Sequence, residues 1–169
     1  LILVPELLQL LVLAAERGWA PPATLKFIAV GGASVSPALL ARATNCGLPV
    51  YEGYGLSECA SVVCLNRPGA RRPGSVGRPL PHTALHLTSD GEIVVTGPTM
   101  LGYLGDPAPA RPGTWHTGDL GEIDADGYVY VRGRVRNVFI TSYGRNVAPE
   151  WVEREIAHGL LEVIGVLVL

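Results

Sequence analysis

The stretch "LKFIAVGGASVSPALLARATNCGLPVYEGYG", residues 25–55, decides the fold. Its apolar segment Leu25–Val30 predicts a strand, and a Gly-Gly turn follows that segment. Ser36 stands where a helix cap is expected, with Pro37 at the first helical position. Residues 48–55 predict a second short strand. A strand, a helix and a strand in this order predict parallel strands in an α/β layer.

The N-terminal side of this unit predicts one more helix. Residues 1–18, "LILVPELLQLLVLAAERG", favour an amphipathic helix from Pro5 to Arg17 that ends at Gly18. Glu6 and Gln9 interrupt the apolar run, so it lacks the roughly 18 uninterrupted residues of a membrane span. It also lacks the positive start and small-residue cleavage site of a signal peptide. Because the chain begins with Leu and ends on the strand-like "VIGVLVL", we expect an internal fragment of a longer protein.

The C-terminal side changes in character. Residues 67–82 are dense in Pro, Gly and Arg and predict a loop. Short alternating segments then predict antiparallel strands at Ala84–Thr88, Glu92–Thr96 and Tyr128–Arg132. Beyond Arg134 the pattern is a strand, a glycine turn, a helix from Pro149 to about His158 and a final strand. This last part predicts the beginning of a second α+β unit.

Composition narrows the class of protein. The 169 residues are 48% hydrophobic and 17% charged, as in a globular domain. A net charge of −2 gives no basic field for nucleic acid or for a membrane surface. Cys46, Cys59 and Cys64 form no metal-binding or disulfide pattern, which favours packing thiols in a reducing cytosol.

The loop "YEGYGLSE", residues 51–58, combines groups that suit a nucleotide. Gly53 and Gly55 leave the backbone bare, and the ring of Tyr54 offers a stacking surface for a purine. Ser57 offers a hydroxyl to a phosphate, and Glu58 offers a carboxylate oxygen to Mg²⁺. A loop after a parallel strand lies where α/β sheets bind ligands. The alternative is a tight turn with a packing tyrosine.

A second stretch, residues 115–137, adds candidate sugar-binding groups. Asp119 could accept two hydrogen bonds from a ribose diol, although an Asp after Gly is also a common turn residue. Arg134 could reach a sugar or phosphate, or could remain a solvated strand-end charge. Asp124 and Asp126 favour a turn. The spacing places no carboxylate or nucleophile beside His116, which favours a structural histidine over an acid or base.

Four motifs together resemble the adenylate-forming enzymes, which include acyl- and aryl-CoA synthetases, luciferase-like enzymes and peptide-synthetase adenylation domains. They are "FIAVGGASVS", "YEGYGLSE", "GEIVVTGPTMLGY" and "TWHTGDLGEIDADGYVYVRGRVRNVFITSYGRNVAPEWVE", in the family's order. The end of the last motif, "ITSYGRNVAPEWVE" at residues 140–153, is most similar to long-chain fatty acyl-CoA synthetases. The resemblance implies the C-terminal part of the large AMP-binding domain at residues 1–134. It implies the hinge and the beginning of a small domain at residues 135–169.

The resemblance also implies roles for single residues. Gly31, Gly32 and Ala33 resemble the backbone strip that flanks the adenine. Tyr54, between Gly53 and Gly55, resembles the aromatic residue that stacks on it. Ser57 and Glu58 match the catalytic positions that contact the α-phosphate and Mg²⁺. Asp119 resembles the ribose-binding aspartate, and Arg134 resembles the arginine that also engages the ribose. We therefore expect the distant stretches around Tyr54 and Asp119 to meet in one pocket.

Two further positions relate to the small domain, which the family rotates between its two half-reactions. Arg136 falls at the hinge, where the family usually has Asp or Lys, so Arg departs from the pattern. Gly144 lies in a glycine turn that borders the channel for the pantetheine of coenzyme A.

The implied activity is ATP-dependent activation of a carboxylic acid, a fatty acid by the subgroup, followed by thioester formation with coenzyme A in the cytoplasm. The apolar stretch Ala60–Leu65 could line an acyl tunnel and could also form a buried strand, since the two interpretations are compatible. Alternatives are an adenylation module that loads a carrier protein and a non-catalytic nucleotide-binding remnant. The family's phosphate loop is not found in these residues. The family's lysine near the C-terminus is not found either, since Lys26 is the only lysine. We therefore expect little adenylation activity from these 169 residues alone.

Overall fold

A computed structural model of the protein describes residues 1–105, 113–137, 139–140, 146–147, 149, 152–153 and 156. The helices are α1 (Pro5–Glu16) and α2 (Pro37–Asn45). The strands are β1 (Ile2–Leu3), β2 (Ile28–Val30), β3 (Val50–Tyr54), β4 (Cys64–Leu65), β5 (Arg78–Pro79), β6 (Ala84–Leu87), β7 (Glu92–Thr96), β8 (Thr114–Ile123), β9 (Val129–Arg134), β10 (Phe139–Ile140) and β11 (Asn146–Val147). Short 3-10 turns occupy Ser57–Cys59 and Val135–Asn137.

The first sheet has the order β1-β2-β3-β4-β5. Strands β1, β2 and β3 are parallel, whereas β4 and β5 pair antiparallel at the far edge. The predicted strand, helix and parallel strand of residues 25–55 are therefore confirmed, although β2 is shorter than expected. Strand β1 was not predicted, because its two residues precede Pro5 within what the pattern presents as one apolar run.

Local capping explains where α2 begins and where α1 ends. The Oγ atom of Ser36 accepts a hydrogen bond from the Leu39 N–H at 3.2 Å, which fixes the start of α2 as predicted. Helix α1 ends as predicted, with the N–H groups of Gly18 and Trp19 donating to the carbonyls of Ala15 and Ala14.

The apolar face of α1 is narrower than the pattern indicates. Leu8 and Val12 are fully buried and share a core cluster with β2, α2 and β3. Leu7 and Leu10, which belong to the same apolar run of sequence, are exposed.

The second sheet is antiparallel, with the order β6-β7-β8-β9. The antiparallel prediction is confirmed, but the longest strand, β8, was missed because its Gly, Thr and Asp residues have low strand propensity. Ile93, Val95 and Val129 of this sheet pack in one buried cluster with Cys59 and Val63 of the first part of the chain. This cluster holds the carboxyl end of β3 beside β8.

The Arg-rich loop is fastened to the turn between β8 and β9. Arg72 forms ion pairs with Asp124 and Asp126. The guanidinium of Arg72 also lies 4.4 Å from the centre of the Tyr128 ring. The turn predicted at the two aspartates is confirmed, because Asp124 Oδ1 accepts from the N–H groups of Asp126 and Tyr128.

Asn66 holds the same loop from inside and gives a test of its stability. Its side chain is fully buried; Nδ2 donates to Ser75 O at 2.7 Å, and Oδ1 accepts from Arg72 N at 3.0 Å. We expect Asn66→Ala to lower the free energy of unfolding by about 2–3 kcal/mol, because it leaves buried backbone groups unpaired. Urea unfolding measures this change. The exposed Asn45→Ala should change it by less than about 0.5 kcal/mol, and an equal loss in both variants would contradict the prediction.

The cysteines allow a second test. All three are free; Cys59 and Cys64 are fully buried, while Cys46 is partly accessible. Burial raises the pKa of Cys59 and raises the pKa of Cys64 to about 12, so neither forms a thiolate at neutral pH. We expect a disulfide reagent at pH 8 to label about one thiol per native chain and the other two only after unfolding. In native Cys46→Ser no thiol should be labelled rapidly. Rapid labelling of two or more thiols in the native wild type would refute the prediction.

Part of the chain beyond Arg134 is not described. Strands β10 and β11 pair antiparallel. The predicted glycine turn with Gly144, most of the predicted Pro149–His158 helix and the final strand lie outside the described residues. No helix within the described residues has the length and apolar character needed to cross a membrane.

Candidate active site

A cleft of about 1660 Å³ lies where the two sheets meet. Its walls include most of the residues that the sequence indicated as a site, namely Gly32, Ala33, Gly53, Tyr54, Gly55, Glu58, Asp119, Arg134 and Arg136. Gly31 and Ser57 are described but do not line it, and Gly144 lies outside the described residues.

A phenol and a carboxylate join the two sheets across the cleft. Tyr54 is the last residue of β3, and its hydroxyl donates to Asp119 Oδ2 on β8 at 2.6 Å, across 65 residues of sequence. Burial, reinforced by the hydrogen bond to Asp119, raises the pKa of Tyr54 well above its usual value. The phenol is therefore a hydrogen-bond donor throughout the physiological pH range. The two stretches expected to share a pocket meet at this contact.

Asp119 is held from its other side by Arg134. The two residues are cross-strand partners on β8 and β9, and Arg134 Nε lies 3.0 Å from Asp119 Oδ1. Arg134 also donates to the Thr117 carbonyl at 3.1 Å, although its side chain remains 59% exposed. Each carboxylate oxygen has two lone pairs, so Asp119 can keep both partners and still accept from a ligand hydroxyl. Sequence reasoning proposed both residues separately and missed that they are paired.

Glu58 is fixed by a segment that the sequence did not connect with it. The Tyr103 hydroxyl donates to Glu58 Oε1 at 2.7 Å, and the Met100 N–H donates to the Glu58 carbonyl at 2.8 Å. The bond from Tyr103 lowers the pKa of Glu58, so this carboxyl is ionised at neutral pH. Ser57, beside it, is exposed.

In the loop after β3, glycine is required by the backbone geometry of the loop itself. A Cβ on Gly55 would lie 1.7 Å from the Ser61 carbonyl oxygen. Ala60 and Ser61 have left-handed φ angles of 56° and 79°, and the Val63 N–H returns to the Tyr54 carbonyl at 2.8 Å. Gly55 is therefore required for this tight reversal, which gives it a role that ligand access does not explain.

The two interpretations of Ala60–Leu65 can now be separated in part. Only Cys64 and Leu65 form a strand, β4, and Val63 and Cys64 are fully buried, whereas Ala60 and Ser61 are exposed; the buried-strand interpretation therefore holds only for the end of the stretch. No residue of this stretch lines the cleft. The acyl-tunnel interpretation gains no support from that cleft.

His116 has a carboxylate partner that its sequence neighbours do not supply. Its Nδ1 lies 2.9 Å from Glu92 Oε2, and Glu92 Oε1 accepts from the Gly118 N–H at 2.9 Å. The expectation that no carboxylate stands beside His116 was wrong, because Glu92 lies on the neighbouring strand β7. His116 lowers the pKa of Glu92. This pair lines the cleft.

Comparison with known proteins gives the class. A family model described as "AMP-binding enzyme" matches residues 1–104, more than half of the chain. The chain therefore belongs to the AMP-binding enzyme family, and the resemblance to adenylate-forming enzymes drawn from the four motifs is confirmed.

Curated relatives divide between two kinds of ligase. The chain is 36% identical over 137 residues to long-chain-fatty-acid–CoA ligase FadD15 of Mycobacterium bovis, covering 78% of this chain and 23% of that protein. It is 38% identical over 162 residues to 2-succinylbenzoate–CoA ligase of Geobacillus sp. strain WCH70, covering 86% of this chain and 33% of that protein. The chain thus spans about a quarter to a third of the length of these relatives.

Solved structures agree on the fold. O-succinylbenzoate coenzyme A synthetase (MenE) from Bacillus subtilis in complex with AMP superposes with a TM-score of 0.80 at 29% identity, over 92% of this chain and 35% of that one. MenE of E. coli with a bound analogue of OSB-AMS gives 0.77 at 30% identity, over 99% of this chain and 37% of that one. The predicted α/β fold class, a parallel layer with an antiparallel part, is confirmed.

Proposed function

We propose that this chain is the nucleotide-binding part of an acyl- or aryl-CoA ligase. The whole enzyme would join a carboxylic acid to AMP and then transfer the acyl group to coenzyme A. The observation that carries the proposal is the 2.6 Å contact between Tyr54 and Asp119. It brings an aromatic ring and a buried carboxylate into one cleft, which a nucleoside needs for its base and its sugar. The relatives named above support the same chemistry.

The nucleoside would lie across both sheets. The Tyr54 ring would stack on the adenine, beside the backbone of Gly32 and Ala33. Asp119 would accept from the ribose hydroxyls, and Arg134, already fixed on Asp119, would contact the same sugar. Gly31 does not line the cleft; its role is to let β2 approach β3, because a Cβ there would lie 2.8 Å from the Gly53 carbonyl oxygen. Such fixing keeps the α-phosphorus in line for attack by the carboxylate.

The residues present fit a magnesium ion carried by the nucleotide. The described residues contain no group of three or more His, Cys, Asp or Glu side chains that could hold a metal by themselves. Mg²⁺ needs only one or two carboxylates when phosphates and waters supply the remaining ligands. Glu58 is ionised and lines the cleft, so it would hold the ion, and Ser57 would contact the α-phosphate. When bound, Mg²⁺ supplies positive charge that offsets charge on the phosphates.

The thioester-forming step would use the end of the chain. We propose that residues 1–134 belong to the large domain and that residues 135–169 begin the small one. Arg136 lies in the 3-10 turn that directly follows β9, and it would serve as the hinge. Gly144 would border the pantetheine channel. A carrier-protein thiol in place of coenzyme A stays an alternative acceptor.

The acid has two candidates. The end of the last motif, residues 140–153, favours a long-chain fatty acid, and relatives such as FadD15 support it. An aryl acid such as 2-succinylbenzoate is supported by relatives that match a larger share of the chain, and by the MenE structures. Thioester formation from palmitate and from 2-succinylbenzoate by the longer protein would decide between them. We propose a cytoplasmic location, which the three free cysteines support.

Calorimetric titration of the chain with nucleotides tests the binding proposal. We expect AMP to bind, and 2′,3′-dideoxy-AMP to bind about 10–100-fold more weakly because it lacks both hydroxyls offered to Asp119. GMP controls for base recognition. Equal affinity for the dideoxy compound would refute the ribose assignment, and absence of AMP binding would refute the proposal. Carboxylate-dependent ATP–pyrophosphate exchange by the 169 residues would contradict our expectation that they have little activity alone.

A further inference from the structure

The segment after β7 folds back onto the loop after β3. Its Met100 N–H donates to the backbone carbonyl of Glu58, and its Tyr103 hydroxyl donates to the side chain of the same residue, at 2.8 Å and 2.7 Å. Thr99 Oγ1 accepts from the Gly113 N–H at 2.9 Å, which ties the segment to the start of β8. Glu58 is therefore held at its main chain and at its carboxylate by one short stretch.

Tyr103 is not a core residue. Tyr103 is 58% exposed, and the described neighbour of its ring is Trp115, in an edge-to-face contact with centroids 6.1 Å apart. An exposed aromatic residue contributes little to folding by burial. The edge-to-face contact instead orients the ring so that the hydroxyl faces Glu58.

We propose that Tyr103 is a positioning residue that holds Glu58 Oε1 and thereby presents the other carboxylate oxygen to nucleotide-bound Mg²⁺. This inference rests on the proposed function, in which Glu58 is the magnesium carboxylate. Glu58 lies in a three-residue 3-10 turn, and a glutamate there has several rotatable bonds to immobilise. A phenol that occupies one oxygen selects one orientation before the metal arrives, so less freedom is lost on binding. The arrangement also favours one-oxygen coordination of the ion, because two-oxygen coordination would displace the phenol.

The experiment measures the affinity of the chain for a non-hydrolysable ATP analogue, adenosine 5′-(β,γ-imido)triphosphate, across a Mg²⁺ titration and in EDTA. Wild type, Tyr103→Phe, Glu58→Gln and the double variant are compared. We expect Tyr103→Phe to raise about 3–10-fold the Mg²⁺ concentration that gives half of the Mg²⁺-dependent gain in affinity for the analogue. The affinity in EDTA should stay within about twofold of wild type. In the Glu58→Gln variant, the further change Tyr103→Phe should not alter the Mg²⁺ dependence of the affinity.

Tyr130→Phe is the matched control, because Tyr130 also donates from its hydroxyl to a carboxylate, that of Asp124, at 3.1 Å. It should leave the Mg²⁺ dependence unchanged. An equal loss of affinity for Tyr103→Phe with and without Mg²⁺, an unchanged Mg²⁺ dependence, or full additivity in the double variant would each overturn the inference while the proposed function stands. If wild type binds no nucleotide in either condition, the proposed function fails and this inference fails with it.

Discussion

Gly55→Ala is expected to destabilise the protein by at least about 3 kcal/mol and to abolish nucleotide binding. The added Cβ would lie 1.7 Å from the Ser61 carbonyl oxygen and 2.8 Å from the Val62 Cα, and both are backbone atoms that cannot turn aside. The reversal after β3 must therefore open. Because this reversal carries Tyr54 at its start and Glu58 within it, stability and binding should be lost together. Urea unfolding and AMP titration measure the two effects.

A second glycine provides the control for Gly55. Gly69 has a φ of +74°, and a Cβ added there would meet no atom within 4 Å, so Gly69→Ala carries only the backbone cost of about 1 kcal/mol. It should keep AMP affinity within about twofold. If Gly55→Ala unfolds at the same urea concentration as Gly69→Ala and binds AMP normally, the tight reversal is not needed for the site.

Asp119→Asn should weaken AMP binding about 30–100-fold while the chain stays folded, which corresponds to about 2–3 kcal/mol for a hydrogen bond to a charged acceptor. The amide oxygen of Asn can still accept from the Tyr54 hydroxyl, so the join between the sheets persists. The negative charge that orients Arg134 and attracts the ribose hydroxyls is removed. Since Arg134 is 59% exposed, its ion pair contributes little to stability itself. Calorimetry gives the affinity, and the thermal midpoint shows that folding is intact.

Asp90→Asn is the matched control for Asp119, because Asp90 is an exposed aspartate in the turn that joins β6 and β7 of the same sheet. Its AMP affinity should equal that of wild type. An Asp119→Asn protein that binds AMP as tightly as the Asp90→Asn protein would remove the ribose role from Asp119, whatever else occupies the cleft.

Local patterns were sufficient for elements whose signals lie within a few residues. The cap at Ser36, the end of α1 at Gly18 and the turn at Asp124 follow from side chains and backbone groups close in sequence. The parallel arrangement of β2 and β3 follows from the helix between them, because a helical crossover imposes it.

Features made by distant partners could not be read in this way. Strand β8 owes its strand state to pairing with β7 and β9 on both sides, which its own composition does not announce. The contacts of Tyr103 with Glu58 and of Glu92 with His116 join segments 45 and 24 residues apart. The four family motifs indicated which residues to examine, while the distances between those residues required the fold.

The bond between Tyr54 and Asp119 has a consequence for the mechanics of the molecule. A nucleotide bound to both residues would add a further link between two sheets that already share a buried apolar cluster and the ion pairs of Arg72. Thermodynamic linkage then requires that whatever tightens this link also resists separation of the sheets, by about 2.7 kcal/mol when the ligand is present at a hundred times its dissociation constant. Binding of the nucleotide would therefore determine how strongly the two sheets resist separation.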